Sequence, residues 1–115
     1  SLYTQLFNQT ITELFRLSTD KGGEYAADGD RLDNFRRNAR DCGLRMEQVW
    51  RVYAGKHWDA ISIFIRDLQT GTVRPRTESI AGRVDDLMVY LMLFKAMLVE
   101  SGELKIEQHL PKGVV

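Results

Sequence analysis

From Leu2 to Ser18 the large apolar residues fall at Tyr3, Leu6, Phe7, Ile11, Leu14 and Phe15, with Gln5, Asn8, Gln9 and Thr12 between them. Spacings of three and four put the apolar set on one face of a helix. Gly22 and Gly23 predict its end. Asp28 and Asp30 stand where either can cap a second, shorter helix that turns Leu32, Phe35 and Ala39 inward and stops at Gly43. A third helix is predicted from Met46 to Leu68, its stripe formed by Trp50, Tyr53, His57, Ile61, Phe64 and Leu68. After the turn-rich QTGTVRPR, Thr77 can cap a fourth helix with the stripe Ile80, Val84, Leu87, Leu91, Phe94 and Leu98, closed by Gly102. The expected architecture is all-α, an antiparallel four-helix bundle over residues 1–102, whose short second helix leaves a cleft between the longer ones. Residues 103–115, ELKIEQHLPKGVV, have weak periodicity and form a C-terminal extension, either packed or frayed.

Composition narrows the function classes. At 115 residues the chain is expected to be one domain, large enough to bury a core without staples. Sixteen basic and sixteen acidic residues cancel, and Arg36, Arg37 and Arg40 are interleaved with Asp33 and Asp41, which argues against a nucleic-acid-binding face. Cys42 is the only cysteine, so neither an internal disulfide nor a thiolate metal cluster is expected. The first residues lack a signal-peptide pattern, and LMVYLMLF is too short to span a bilayer. The chain therefore reads as a cytoplasmic protein without membrane contact.

Polar residues on apolar faces suggest chemistry. His57 lies within the third stripe, either as a core histidine bonded to a carboxylate or carbonyl, or as a ligand contact or acid/base group beside Lys56. Asp85 stands seven residues from Glu78, and so nearly in line with it on a continuous helix. Two carboxylates so placed can contribute to a magnesium site if a second helix adds donors such as Asp59, Glu47 or Glu24. Alternatively, Glu78 favours the helix dipole, and Asp85 or Asp86 pairs with Arg83, Lys56 or His57. No phosphate-binding glycine loop or dinucleotide fingerprint is present.

The stretch KGGEYAADGDRLDNF, followed by KHWDAI and ESIAGRVDDLMVYLMLF, resembles an uncharacterised family of small phage and prophage proteins. Those proteins carry K-G-x-E-Y-A, D-R-L-x-N-F, a K-H pair and a late E-x-I-x-x-R-x-x-D-x-x-x-Y-L helix. The resemblance covers Lys21 to about Leu98 and implies a helical phage-type protein, placed in the host cytoplasm if phage-encoded. The late helix is also distantly similar to the MazG-like all-α nucleoside triphosphate pyrophosphohydrolases, whose E-x-x-E and E-x-x-D elements surround magnesium. Here Glu78 is followed three residues later by Ala81, and Glu47 by Trp50, so neither element is intact.

The glycines of the quoted stretch let backbone N–H groups approach a guest. Lys21 and Arg31 offer cationic donors, Asn34 can read an amide or base edge, and Tyr25 and Phe35 can stack. The structural alternative is that Asp28 or Asp30 caps the helix, Asn34 bonds nearby backbone, and Arg31 pairs with an acid of the fourth helix.

The leading expectation is a protein that binds a nucleotide or other phosphate-bearing small molecule through Lys21, Glu24, Tyr25, Arg31, Asn34, Lys56, His57 and Arg83. Its role would lie in nucleotide metabolism or in sequestering a host signalling nucleotide. The enzymatic alternative is magnesium-dependent pyrophosphate cleavage, with Glu24, Glu78 and Asp85 as ligands. A third is a helical interaction module using Trp58 and Tyr53. Two apolar stripes on the last helix, Ile80/Val84/Leu87/Leu91 and Ala81/Met88/Met92/Ala96, also predict a homodimer or higher homo-oligomer.

Overall fold

A computed structural model describes residues 1–25 and 30–106, with side chains described for 1–19 and 30–106. Four helices follow in order: α1 (Leu2–Tyr25), α2 (Asp33–Cys42), α3 (Met46–Thr70) and α4 (Ile80–Glu100). The fold is all-α, a small helical bundle in which α3 packs against both α4 and α2, and α1 packs against α4.

The core forms where α2, α3 and α4 meet. Leu32 and, on α2, Phe35 and Ala39 are buried as their spacing predicts, together with Val49 of α3 and Met97 of α4. Phe35 meets the rings of Tyr53 and Tyr90 edge-on at 5.9 and 6.3 Å. Trp50 packs on Phe94 and donates its indole N–H to the carbonyl of Tyr90 at 2.6 Å, so its one polar atom is satisfied inside the contact. These pairings run α3 antiparallel to α4.

Helix ends follow local chemistry, with three departures from expectation, at the starts of α2 and α4 and the end of α1. Gly43 ends α2 at φ 66°, a left-handed conformation in which its N–H reaches the carbonyls of Ala39 and Arg40. Asp30 accepts the N–H of Leu32 at 2.9 Å in the turn before α2, whereas the N-cap itself is Leu32, without a side-chain cap. Asp28 lies outside the described residues. The cap of α4 is Ser79, whose Oγ accepts the Gly82 N–H at 3.0 Å, in place of Thr77. Glu78 therefore precedes the helix and does not stand in its first turn. Ahead of this start, Asp67, buried near the end of α3, receives Arg74 at 2.9 and 3.0 Å and Arg76 at 2.8 Å. Arg76 also lies over the ring of Phe64.

Helix α1 corrects the expected end at Gly22 and Gly23, because it runs through both to Tyr25. A glycine inside a helix costs about 1 kcal/mol relative to alanine, a penalty but no barrier. Burial of the α1 stripe is also corrected. Among the described side chains of α1 the buried one is Leu17, outside that stripe, while Tyr3, Leu6, Phe7, Ile11 and Phe15 are 50–75% exposed. On α3 the stripe is covered where α2 reaches it, and beyond that Leu68 faces solvent. No described helix is long and apolar enough to cross a membrane.

Candidate functional site

The start of α4 and the second half of α1 enclose an open cleft of about 340 Å³, lined by Glu13, Arg16, Leu17, Glu78, Ser79, Gly82, Asp85 and Asp86. Within the protomer its α1 wall is anchored at one end, by burial of Leu17 and by Arg31, whose guanidinium donates to the carbonyl of Ser18 at 2.7 Å and of Leu17 at 3.4 Å. Its α4 wall carries Gly82, where a Cβ would come within 3.2 Å of the Ser79 hydroxyl.

Four carboxylates and one guanidinium thus share one concavity. Arg16 pairs with Glu13 along α1, its Nε 3.1 Å from Glu13 Oε2. The half-buried Asp85 carboxyl is pushed above its ordinary range, first by burial and then by the negative charges of Glu13 and Asp86. A carboxylate unsettled by its neighbours is the electrostatic mark of a place that favours added positive charge. Among the described residues, no group of three or more His, Cys, Asp or Glu side chains is arranged to hold a metal ion as it stands. The carboxylates therefore converge on the cleft without being gathered around one point.

Glu78 links this anionic cleft to a second constellation. Arg83 Nε lies 3.3 Å from Glu78 Oε2, and Arg83 Nη1 stands 3.5 Å from His57 Nδ1 across the α3–α4 contact. The imidazole packs on Tyr90 with ring centroids 5.2 Å apart, and the adjacent Lys56 extends its ammonium over Tyr53 at 5.1 Å. An acidic or backbone acceptor was expected for His57, but the described partner of its Nδ1 is the Arg83 guanidinium. Nδ1 then acts as acceptor, which places the proton of the neutral ring on Nε2. Burial holds the His57 pKa below its ordinary value. Arg83 and Lys56 act in the same direction, against Asp86 and Glu78.

Of the residues singled out from sequence, Glu78 and Asp85 line the cleft together although only Asp85 is helical. Arg83 and His57 stand beside it, while Lys56, next to His57 in the chain, reaches over Tyr53. Arg31 and Asn34 do not join them. Arg31 is taken by the α1 carbonyls, and Asn34 accepts from the Asn38 side chain through its carbonyl and its Oδ1 at 2.9 and 3.0 Å. The side chains of Lys21, Glu24 and Tyr25 lie outside the described ones. Of the suggested second-helix donors, Glu47 is engaged by Arg45 near the opposite end of α3, and neither it nor Asp59 lines the cleft. Glu13 supplies the carboxylate from a second helix. Its signal was available, since Glu13 and Arg16 are the only charged residues among the first nineteen. Scans against protein-family models, curated proteins and solved structures find no match to this chain.

Proposed function

We propose that this chain is a phage- or prophage-type protein that binds a nucleotide or nucleotide-derived phosphate compound together with a divalent cation. The observation that carries this reading is the junction at Glu78, where a cleft of four carboxylates adjoins Arg83 and, through it, His57. Carboxylate oxygens suit a hard cation such as magnesium, which keeps several of its own waters, so Glu78 and Asp85 would hold it without a third carboxylate at the same point. When bound, the ion would neutralise phosphate charge. Arg83 and Lys56 add charge-assisted hydrogen bonds to phosphate oxygens, and the Tyr53 and Tyr90 rings border that corner. The phage context rests on the resemblance of Lys21 to Leu98. Nucleotide metabolism and sequestration of a signalling nucleotide are the two roles it supports.

Calorimetric titration with a panel of nucleoside mono-, di- and triphosphates, with and without magnesium, tests the reading. Binding of at least one nucleotide is expected, tighter with magnesium and weakened about tenfold or more by Arg83→Ala. No binding across the panel under either condition overturns it. The carboxylate set also favours a second reading, magnesium-dependent cleavage of a nucleoside triphosphate to pyrophosphate. Release of pyrophosphate from the same panel separates that reading from binding alone.

A further inference from the structure

We infer that the uncharged outer half of α1, together with Met88, Leu91 and Met92 of α4, is the contact surface for a second copy of this chain, and that this contact fixes the α1 wall of the cleft. On α1, Leu2, Tyr3, Leu6, Phe7 and Ile11 are 84, 75, 59, 53 and 50% exposed. On α4, Met88, Leu91 and Met92 are 36, 50 and 61% exposed. Side chains of these sizes present about 800 Å² or more per protomer, the area that a standard stable interface takes from each partner. Solvated helices do not ordinarily leave so continuous an apolar face open.

The charge pattern identifies the occupant. Residues 1–12 and 87–94 contain no Asp, Glu, Lys or Arg. A two-fold axis sets each patch against its own copy, which would place like charges together if the patch were charged. An uncharged apolar patch meets its copy without that cost, whereas it offers nothing to steer a charged partner.

The patch is continuous with the cleft. Leu6 lies seven residues before Glu13, and Met88 and Met92 lie three and seven after Asp85, so the apolar residues extend the cleft-lining faces of both helices away from the cleft. Helix α1 contributes Glu13 and Arg16 to the cleft, yet within the protomer Leu17 is its buried anchor. Covering its outer half therefore settles where those two side chains stand. The dimer itself does not depend on the nucleotide reading, so its test is separate from that one.

Sedimentation equilibrium of the full chain, from about 1 to 100 µM, is the experiment. A dimer is expected. Phe7→Asp and Ile11→Asp should each weaken it at least a hundredfold, because the two-fold axis duplicates every introduced charge. Both side chains are half exposed in the protomer, so the variants should still melt cooperatively. Leu68→Asp, on the exposed end of α3, should leave the dimer intact. A monomeric parent at 100 µM overturns the inference, as does a dimer that survives both α1 substitutions or dissociates on Leu68→Asp.

Discussion

Replacing Asp85 by asparagine removes one negative charge from the cleft and keeps the side-chain shape. If the cleft is a place of uncompensated repulsion, the variant should be more stable than the parent at neutral pH without added cation. Asp85 is half-buried, and burial, Glu13 and Asp86 all disfavour its charged form, while Glu78 lines the same cleft. Arg16 is the cleft's one guanidinium, and Glu13 engages it. Relief of such strain at a functional site is commonly about 0.5–2 kcal/mol. Solvent screening of a partly exposed group keeps the figure near the lower end, about 0.5–1 kcal/mol. In a domain of this size that corresponds to a rise in Tm of about 2–6 °C.

The sign of the pH dependence follows from the direction of the shift. The folded-state pKa of Asp85 lies above the ordinary carboxylate value, so the penalty is absent below that value and grows as pH rises through the folded pKa. The stability difference between variant and parent should therefore be largest near neutrality and vanish in acid. Magnesium should reverse the order, because a cation at a hundred times its Kd stabilises the parent by about 2.7 kcal/mol, and the variant loses much of that gain. Differential scanning calorimetry at two pH values, with and without magnesium, measures all three effects. A fall in Tm of more than about 3 °C for the variant at neutral pH without cation would refute the reasoning, because the carboxylate would then be holding the fold together.

His57 is neutral in the fold and has a lowered pKa, so the stability it contributes is present above its unfolded value near 6.5 and is lost as pH falls through the folded value. Urea titrations from pH 7.5 to 5 should show this loss, and His57→Gln should flatten it. Lys56→Ala should weaken nucleotide binding about tenfold with little change in Tm, whereas Arg31→Ala should lower Tm by releasing the carbonyls of Leu17 and Ser18. Ligand affinity and melting temperature measured on the same samples distinguish the two roles. Ser79→Ala removes the cap of α4 and should cost about 1 kcal/mol, while Thr77→Ala should be neutral, as chemical denaturation can determine.

What could be read in advance was whatever short-range periodicity specifies. Leu32, Phe35 and Ala39 turned inward because α2 is short and its single apolar face has α3 directly against it. Gly43, Gly71 and Gly102 all adopt the left-handed conformation next to helix ends, and the two whose role was expected from sequence, Gly43 and Gly102, ended their helices. Coverage could not be read in the same way. The α1 stripe states which side chains a neighbour would bury, but no local pattern states whether the chain brings a neighbour there. Nor did proximity along the chain decide between Thr77 and Ser79. The turn before that cap is tied instead by Asp67, which gathers Arg74 and Arg76, a contact that the apolar periodicity does not specify. At the site, Glu78 and Asp85 were found through helical spacing, although Glu78 reaches the cleft from outside the helix. Arg83 as the neighbour of His57, and Glu13 as the carboxylate from α1, depend on packing between helices and were missed.

Placing both effects on α1 has a thermodynamic consequence. Glu13 of α1 lines the cleft proposed to take a cation, and the exposed outer half of the same helix is the face proposed to meet a second copy of the chain. If each event favours one placement of α1, each lowers the ordering cost of the other, and the two binding free energies are coupled. Linkage then requires that magnesium tighten the dimer by the same factor by which dimerisation tightens magnesium. Couplings of this kind are commonly about 5- to 150-fold, a range that sedimentation can follow through the dimer Kd with and without magnesium. The reciprocal quantity is magnesium affinity, titrated at protein concentrations above and below the dimer Kd. Glu13→Gln should reduce the coupling while leaving the metal-free dimer unchanged, because the substitution alters the cleft wall and spares the apolar face. A magnesium-independent dimer Kd would show that α1 is already fixed in the protomer, and that the cleft and the contact surface work separately.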